Sequence, residues 1–424
     1  MATTTHTMML TEPQAVRPGP EHRNPHDQGQ LPDFGESRMT LNVGPSHPLT
    51  HGTVRLIMEL EGETIREVDV EVGYLHRGFE KECERVTWPQ VFPYTDRLNY
   101  VSPIINNFGY ALTVEKLCGI VDEVPERAQY LRVIMGELSR ICDHLTCIGA
   151  AAMELGGFTP FLYAVEAREE LYKLIEEVTG ARLTVSYGRI GGVKHDLTDD
   201  FVERYTWIRK RVLERLGEVD KLLTRLRIFM DRFEGTGVYT KEFALAHGFT
   251  GPMLRSVGVS YDVRKDNPYF VYDRVDFEVP IGSTGDNYDR YLIRLEETVQ
   301  SFRIIDQCLE QIPPGPIILD DWRYCLPEKD LVYHTIEGCI AHFELIMFGP
   351  QVPKGMAYGF VEGGNGELGF FIVSDGSGRP YKCHVRAPCF ALMQGLGKII
   401  TGAMMSDIIP TFDMLNLIAG ECDR

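Results

Sequence analysis

Four long segments in the middle of the chain repeat apolar residues at steps of three and four, the pattern of helices with one apolar face. They start just after Pro125 and near residues 161, 200 and 286. The later three run to about 178, 233 and 311, and Gly180 marks the end of one of them. Such helices bury their apolar stripes against one another, so the sequence predicts a central antiparallel helix bundle.

Both ends of the chain have a different pattern. Apolar residues alternate over 54–60 and 65–72 around Gly62, which predicts a β-hairpin in a small N-terminal sheet. The strand-like runs 368–373 and 381–385 enclose D-G-S-G and predict a second hairpin, after a helix near 331–347. The last thirty or so residues are apolar, which favours a docked tail.

These patterns predict an α+β, mainly helical chain with four parts. Residues 1–37, with five prolines and no apolar period, are expected to form a flexible arm. Residues 38–75 form the N-terminal β domain and 76–350 the helix-bundle core. Residues 351–424 form a C-terminal α/β segment with the hairpin and the docked tail.

Charge and hydropathy exclude several classes of protein. The chain has 61 acidic and 43 basic residues and a net charge of −18, which argues against a nucleic-acid-binding protein. No stretch reaches the roughly 20 apolar residues of a membrane-spanning helix. Contact with a membrane is therefore expected through partners or at the surface.

The ten cysteines include no C-x-x-C pair. Their spacings fit neither a zinc site nor the usual iron–sulfur ligand sets. We therefore expect reduced thiols and no metal bound by this chain.

The loop at residues 42–52, N-V-G-P-S-H-P-L-T-H-G, is the densest local signal. The spacing of His47 and His51 would suit a metal on a helix, but Pro48 argues against a helix and no adjacent carboxylate completes a site. Histidines that bond to backbone and histidines that donate protons both stay open.

A second polar cluster, Y-T-D-R-L-N-Y, spans residues 94–100. Its tyrosines suit either local packing or a polar-tipped wall for a carbonyl ligand. The motifs of Rossmann folds, P-loops, α/β-hydrolases and zincins are all absent, so nucleotide-dependent, hydrolytic and zincin chemistry lack support.

Eight separated motifs occur in one order along the chain after residue 38. They are M-T-L-N-V-G-P-S-H-P-L-T-H-G (39–52), G-Y-L-H-R-G-F-E-K (73–81), D-R-L-N-Y (96–100), R-I-G-G-V (189–193), Y-D-V-R (261–264), Y-D-R-Y (288–291), V-S-D-G (373–376) and R-A-P (386–388). In this the sequence resembles the hydrogenase-like large subunit of respiratory complex I. This is the D-type subunit family of NADH:quinone oxidoreductase, known in mitochondria as the 49-kDa subunit.

The resemblance implies a quinone site. The family shares its fold with the large subunit of nickel–iron hydrogenases, whose two C-x-x-C pairs are missing here, so the old metal cavity is free for another ligand. His51 matches the quinone-ligand histidine and Tyr100 the quinone-ligand tyrosine, with His47 in the same loop. Relatives place an aspartate before L-G-x-x-T-P-F as partner of the histidine, whereas this chain has Glu154.

The resemblance also implies partners and an activity. The chain would be one subunit of a proton-translocating NADH:quinone oxidoreductase, beside an iron–sulfur subunit of the B type, a subunit of the C type and the membrane arm. Iron–sulfur clusters and FMN would lie on partner subunits, with quinone as substrate and no cofactor on this chain. The expected location is peripheral, on the cytoplasmic side of the inner (plasma) membrane. A membrane-bound hydrogenase large subunit and a non-catalytic assembly scaffold are the alternatives.

Overall fold

A computed structural model describes residues 38–50 and 52–424, so the predicted arm at 1–37 lies outside the described residues. An antiparallel three-stranded sheet opens the fold, in the order β1 (Arg38–Val43), β2 (Arg55–Glu61) and β3 (Thr64–Glu71). Every second residue of β2 is buried, as the alternation predicts. Gly62, at a φ of 62°, makes the turn of the β2–β3 hairpin.

Three helices come next: α1 (Phe79–Cys83), α2 (Phe92–Thr95) and α3 (Pro103–Cys118). The sequence analysis missed α3 because its residues 103–115 are all buried. A helix surrounded on every side has no apolar stripe and therefore no period to read.

The bundle starts with α4 (Glu126–Glu154) and α5 (Phe158–Thr179), joined by three residues and therefore antiparallel neighbours. Gly180, at a φ of 81°, ends α5 as predicted. A two-stranded ribbon, β4 (Gly188–Arg189) and β5 (Gly192–Val193), leads to the rest of the bundle. The following helices are α6 (Phe201–Leu223), α7 (Arg227–Phe233), α8 (Lys241–Ala246), α9 (Pro252–Arg255), α10 (Val263–Asp266) and α11 (Asn287–Gln311).

The single helix predicted over 200–233 is wrong, because the chain breaks between α6 and α7. The Tyr288 hydroxyl donates a 2.8 Å hydrogen bond to the Thr224 carbonyl, which a continuous helix would use for its own ladder. The Thr224 hydroxyl also lies 3.0 Å from that of Tyr291. The two tyrosines of α11 thus hold the end of α6.

The helix predicted near 331–347 is also two helices, α12 (Lys329–His334) and α13 (Ile336–Met347). Thr335 separates them because its hydroxyl accepts the Gly338 N–H at 3.1 Å and caps α13. The C-terminal segment then contains β6 (Gly355–Gly363), β7 (Gly366–Ser374), β8 (Lys382–Arg386), α14 (Pro388–Ile400), α15 (Ile408–Leu415) and α16 (Ala419–Asp423). Strands β7 and β8 form the predicted hairpin, and β6 extends it to three strands.

Three hydrophobic clusters fill the interior. The largest lies among α4, α5, α6 and α11 and is the core of the bundle. The second joins the N-terminal sheet to α14, α15 and the C-terminal tail, and the third joins α1–α3 to the C-terminal sheet. The α+β, mainly helical fold class is thereby confirmed, while the predicted domain boundaries stay predictions. No helix within residues 38–50 and 52–424 is long and apolar enough to cross a membrane.

Candidate functional site

Tyr100 lies on the turn between α2 and α3. The Asn99 side-chain oxygen holds this turn by accepting the N–H groups of Val101 at 3.1 Å and Ser102 at 3.4 Å. The Tyr100 ring packs, half-buried, against the second cluster. Its hydroxyl has no hydrogen bond to another described residue, so the phenol is available to a ligand.

The surroundings of Tyr100 keep its phenol protonated. Burial raises the pKa of Tyr100, and the neighbouring Cys389 and Asp143 raise it further, while Arg77 opposes them. A neutral phenol is a hydrogen-bond donor, whereas a phenolate is not. The site therefore holds Tyr100 in the form that can donate to a carbonyl oxygen.

The loop that contains His47 reaches the same cluster. Leu49 is buried there, and the turn at 48–50 packs against α15. The Thr50 hydroxyl donates to the His47 carbonyl at 3.0 Å, and His47 itself is exposed. A Cβ on Gly52 would lie 3.3 Å from Ala419 of α16, so the loop runs along the C-terminal tail.

The C-terminal tail is tied to the segment 73–77 of the G-Y-L-H-R-G-F-E-K motif. The Asp423 carboxylate accepts the N–H groups of Gly73 at 2.9 Å and Leu75 at 2.7 Å. Arg77 donates to the carbonyls of Arg97 at 2.7 Å and Gly420 at 2.8 Å. Arg77 therefore links the tail to the stretch that leads into Tyr100, a role the sequence analysis did not assign.

Glu154 is the last residue of α4 and is half-buried. His51 lies outside the described residues, so its predicted pairing with Glu154 stays a prediction. Of the predicted site residues, the structure brings the His47 loop and Tyr100 to one apolar cluster beside the C-terminal tail.

Asp143 is the buried acid that the sequence analysis missed. It lies eleven residues before Glu154 on α4, about 16 Å along the helix axis. Its carboxylate accepts hydrogen bonds from the two residues that flank Tyr100 closely, Asn99 and Ser102. The only sequence signal is a charged residue in the apolar stripe of α4, which does not say what the acid contacts.

Within the described part of the chain, no group of three or more His, Cys, Asp or Glu side chains is placed to hold a metal ion. The cysteines Cys389 and Cys422 lie in the second cluster beside the tail, and both are buried.

Residues 154–424 match the family described as the 49-kDa subunit of the respiratory-chain NADH dehydrogenase. This match covers more than half of the chain. The chain belongs to this family. The resemblance drawn from the eight motifs is confirmed.

Curated relatives extend the match over almost the whole chain. The first of two NADH-quinone oxidoreductase D-type subunits of Sorangium cellulosum is 57% identical over 399 residues, which are 94% of this chain and 98% of the relative. The D-type subunit of Myxococcus xanthus is 57% identical over 387 residues, 91% of this chain and 93% of the relative. A combined C/D-type subunit of Bdellovibrio bacteriovorus is 46% identical over 391 residues, 92% of this chain and 70% of that protein.

As a member of the 49-kDa subunit family, the chain is part of complex I, an NADH:quinone oxidoreductase. The predicted enzyme class is confirmed. Membership of this complex fits a peripheral association with the membrane.

Proposed function

We propose that this chain forms the quinone-binding and reduction site of complex I together with the subunit that carries the terminal iron–sulfur cluster. The observation that carries the proposal is the protonated, half-buried Tyr100 phenol beside the His47 loop, in a member of the 49-kDa subunit family. Quinone reduction in this site is coupled to proton translocation by the complex.

Reduction of a quinone to a quinol takes two electrons and two protons. Negative charge that develops on the carbonyl oxygens is stabilised by donors aimed at them. Tyr100 donates to one oxygen and His51 to the other, and the Glu154 carboxylate favours the imidazolium form of His51. The exposed His47 lies at the entrance of the loop and contacts the bound quinone.

The position of Glu154 and Asp143 on one helix supports this arrangement. α4 carries Asp143 beside the Tyr100 turn and Glu154 at its end. One rigid helix thus has an acid near each of the two proposed donors, and a planar ligand with two opposite carbonyl oxygens fits between donors set apart in this way.

Electrons come from partner subunits, which carry the iron–sulfur clusters and FMN. We place a B-type iron–sulfur subunit and a C-type subunit next to this chain, on the cytoplasmic side of the cell membrane and against the membrane arm. The existence of a relative named as a combined C/D-type subunit supports the C-type neighbour.

The test is quinone kinetics in the assembled complex. Tyr100→Phe and His51→Gln are each expected to lower NADH-driven reduction of a short-chain quinone at least tenfold, since positioned proton donors contribute roughly 10²–10⁴-fold. Electron entry from NADH to hexacyanoferrate stays unchanged. Unaltered quinone kinetics in both variants would contradict the proposed site.

Matched controls separate the site from general damage. Tyr381 lies at the start of β8 and is 66% exposed, so Tyr381→Phe makes the same chemical change away from the site. His334 on α12 is exposed and serves in the same way as His334→Gln. Both controls are expected to retain full quinone reduction.

A further inference from the structure

A fully buried carboxylate lies behind the Tyr100 turn. Asp143 Oδ2 accepts the Ser102 hydroxyl at 2.8 Å and the Asn99 amide nitrogen at 2.9 Å. Its other oxygen accepts the Asn416 amide nitrogen at 2.9 Å. None of the Asp143 side chain is exposed.

The hydrogen bonds fix Asp143 as an anion. The Asn99 oxygen faces two backbone N–H groups, which only donate, so the Asn99 nitrogen must face Asp143. Among the described residues, three donors and no acceptor bond to the carboxyl, and an acceptor-only group in that position is an ionised carboxylate.

Both chain neighbours of the Tyr100 turn are held by this one anion. Asn99 precedes Tyr100 directly, Ser102 follows it by two residues, and both bond to the same oxygen. The Asn99 carbonyl accepts a further 2.9 Å hydrogen bond from Asn106 of α3. The backbone on each side of Tyr100 is therefore fixed to α4 and α3, and the direction of the phenol is fixed with it.

We propose that Asp143 is a positioning residue for quinone reduction, which orients the Tyr100 hydroxyl through Asn99 and Ser102. This inference rests on the proposed function, because it assumes that Tyr100 donates to the quinone. Asp143 does not touch the substrate. Its negative charge also disfavours the tyrosinate and so keeps the donor protonated.

The test is a double-mutant cycle in the assembled, membrane-bound complex, with NADH and a short-chain ubiquinone analogue. Asp143→Asn presents an amide to three donors, so one of the three hydrogen bonds is lost and the turn shifts. We expect quinone kcat to fall about tenfold or more, since misplacing a reacting group by about 1 Å lowers rates up to roughly 100-fold. KM changes by less than about twofold, because the orientation acts at the chemical step.

The cycle with Tyr100→Phe distinguishes positioning from general disruption. If Asp143 acts through the phenol, Asp143→Asn lowers quinone kcat less than about twofold further when Tyr100 is already Phe. The same fold-loss in both backgrounds would overturn the inference, as would full activity of Asp143→Asn. If Tyr100→Phe alone leaves quinone kinetics unchanged, the proposed function itself fails.

Two further variants keep the test decisive. Ser102→Ala removes one donor and leaves the anion, so it is expected to give a smaller kcat loss that also disappears in the Tyr100→Phe background. It replaces Asp143→Asn if that variant does not assemble, as judged by hexacyanoferrate reduction. Asp286→Asn is the matched control, because Asp286 is a buried aspartate that bonds to Gly235 and Asp289 instead.

Discussion

The Cys389 thiol lies 3.0 Å from the carboxyl oxygen of Glu421 and donates a hydrogen bond to it in the interior of the C-terminal segment. Burial raises the pKa of Glu421 to about 7, and Asp143 adds to the rise, while Cys389 and Arg386 oppose it. The ordinary pKa of a glutamate is near 4.5. The folded chain therefore keeps a proton that the unfolded chain releases between these two pH values.

This proton makes stability depend on pH. Because the folded state binds more protons than the unfolded state between about pH 4.5 and 7, the free energy of unfolding falls as pH rises through this window. Above the folded pKa the full penalty, about 3 kcal/mol, is present. Glu421→Gln keeps an oxygen that accepts from Cys389 and does not titrate.

The expected result is that Glu421→Gln gains stability over the natural chain with rising pH, with little gain near pH 4.5 and about 3 kcal/mol above pH 7. Urea unfolding at several pH values measures the difference. A difference that stays constant across this range would contradict the raised pKa. Other groups titrate in both chains and cancel in the comparison.

A buried ion cluster predicts a large loss of stability on neutralising one acid. Glu297 accepts Arg255 Nε at 3.0 Å and Nη2 at 2.6 Å, and its other oxygen lies 2.8 Å from His144 Nε2. Although burial would raise the pKa of Glu297, Arg255 and His144 hold it well below its usual value. Glu297→Gln leaves Arg255 short of a partner and is expected to cost about 3–5 kcal/mol.

The control is an exposed pair. Asp276 lies 2.7 Å from Arg303, with side chains 77% and 42% exposed, so Asp276→Asn is expected to cost less than about 1 kcal/mol. Urea unfolding of both variants gives the two values. Similar losses in the two would contradict the difference between buried and exposed pairs.

Apolar periodicity predicted α4, α5 and α11 because each has one face on the core and one toward other surroundings. It could not predict α3, which is buried on all sides, or the break after Leu223, which depends on hydroxyls of Tyr288 and Tyr291 more than sixty residues away. Local patterns carry no information about such distant partners.

The site shows the same division. Tyr100 and the His47 loop could be named from motifs, because the motifs are local. Asp143 could not, since its bonds to Asn99 and Ser102 span more than forty residues and follow from how α4 packs beside the turn. His51 was named from a motif as well, and its role stays a prediction.

Cysteine reactivity offers a third prediction. Cys339 on α13 is the only one of the ten cysteines, all within residues 52–424, that is exposed. Burial raises the pKa of Cys147, Cys308 and Cys325 to about 12, which suppresses the reactive thiolate. A maleimide is therefore expected to label Cys339 first in the folded chain. Peptide mass spectrometry with and without denaturant measures this, and early labelling of the buried thiols would contradict it.

Two glycines predict opposite effects of the same substitution. Gly217 lies inside α6, where a Cβ would meet nothing within 4 Å, so Gly217→Ala is expected to stabilise the chain by about 0.5–1 kcal/mol through helix propensity. Gly251 has a φ of 66° and a ψ of −149°, a conformation essentially restricted to glycine. A Cβ there would lie 2.4 Å from Gly366 Cα in the β6–β7 turn. Both strain and overlap oppose Gly251→Ala, which is expected to destabilise by more than about 2 kcal/mol. Unfolding free energies of the two variants provide the check, since a stabilising Gly251→Ala would show that the turn can move away from α9.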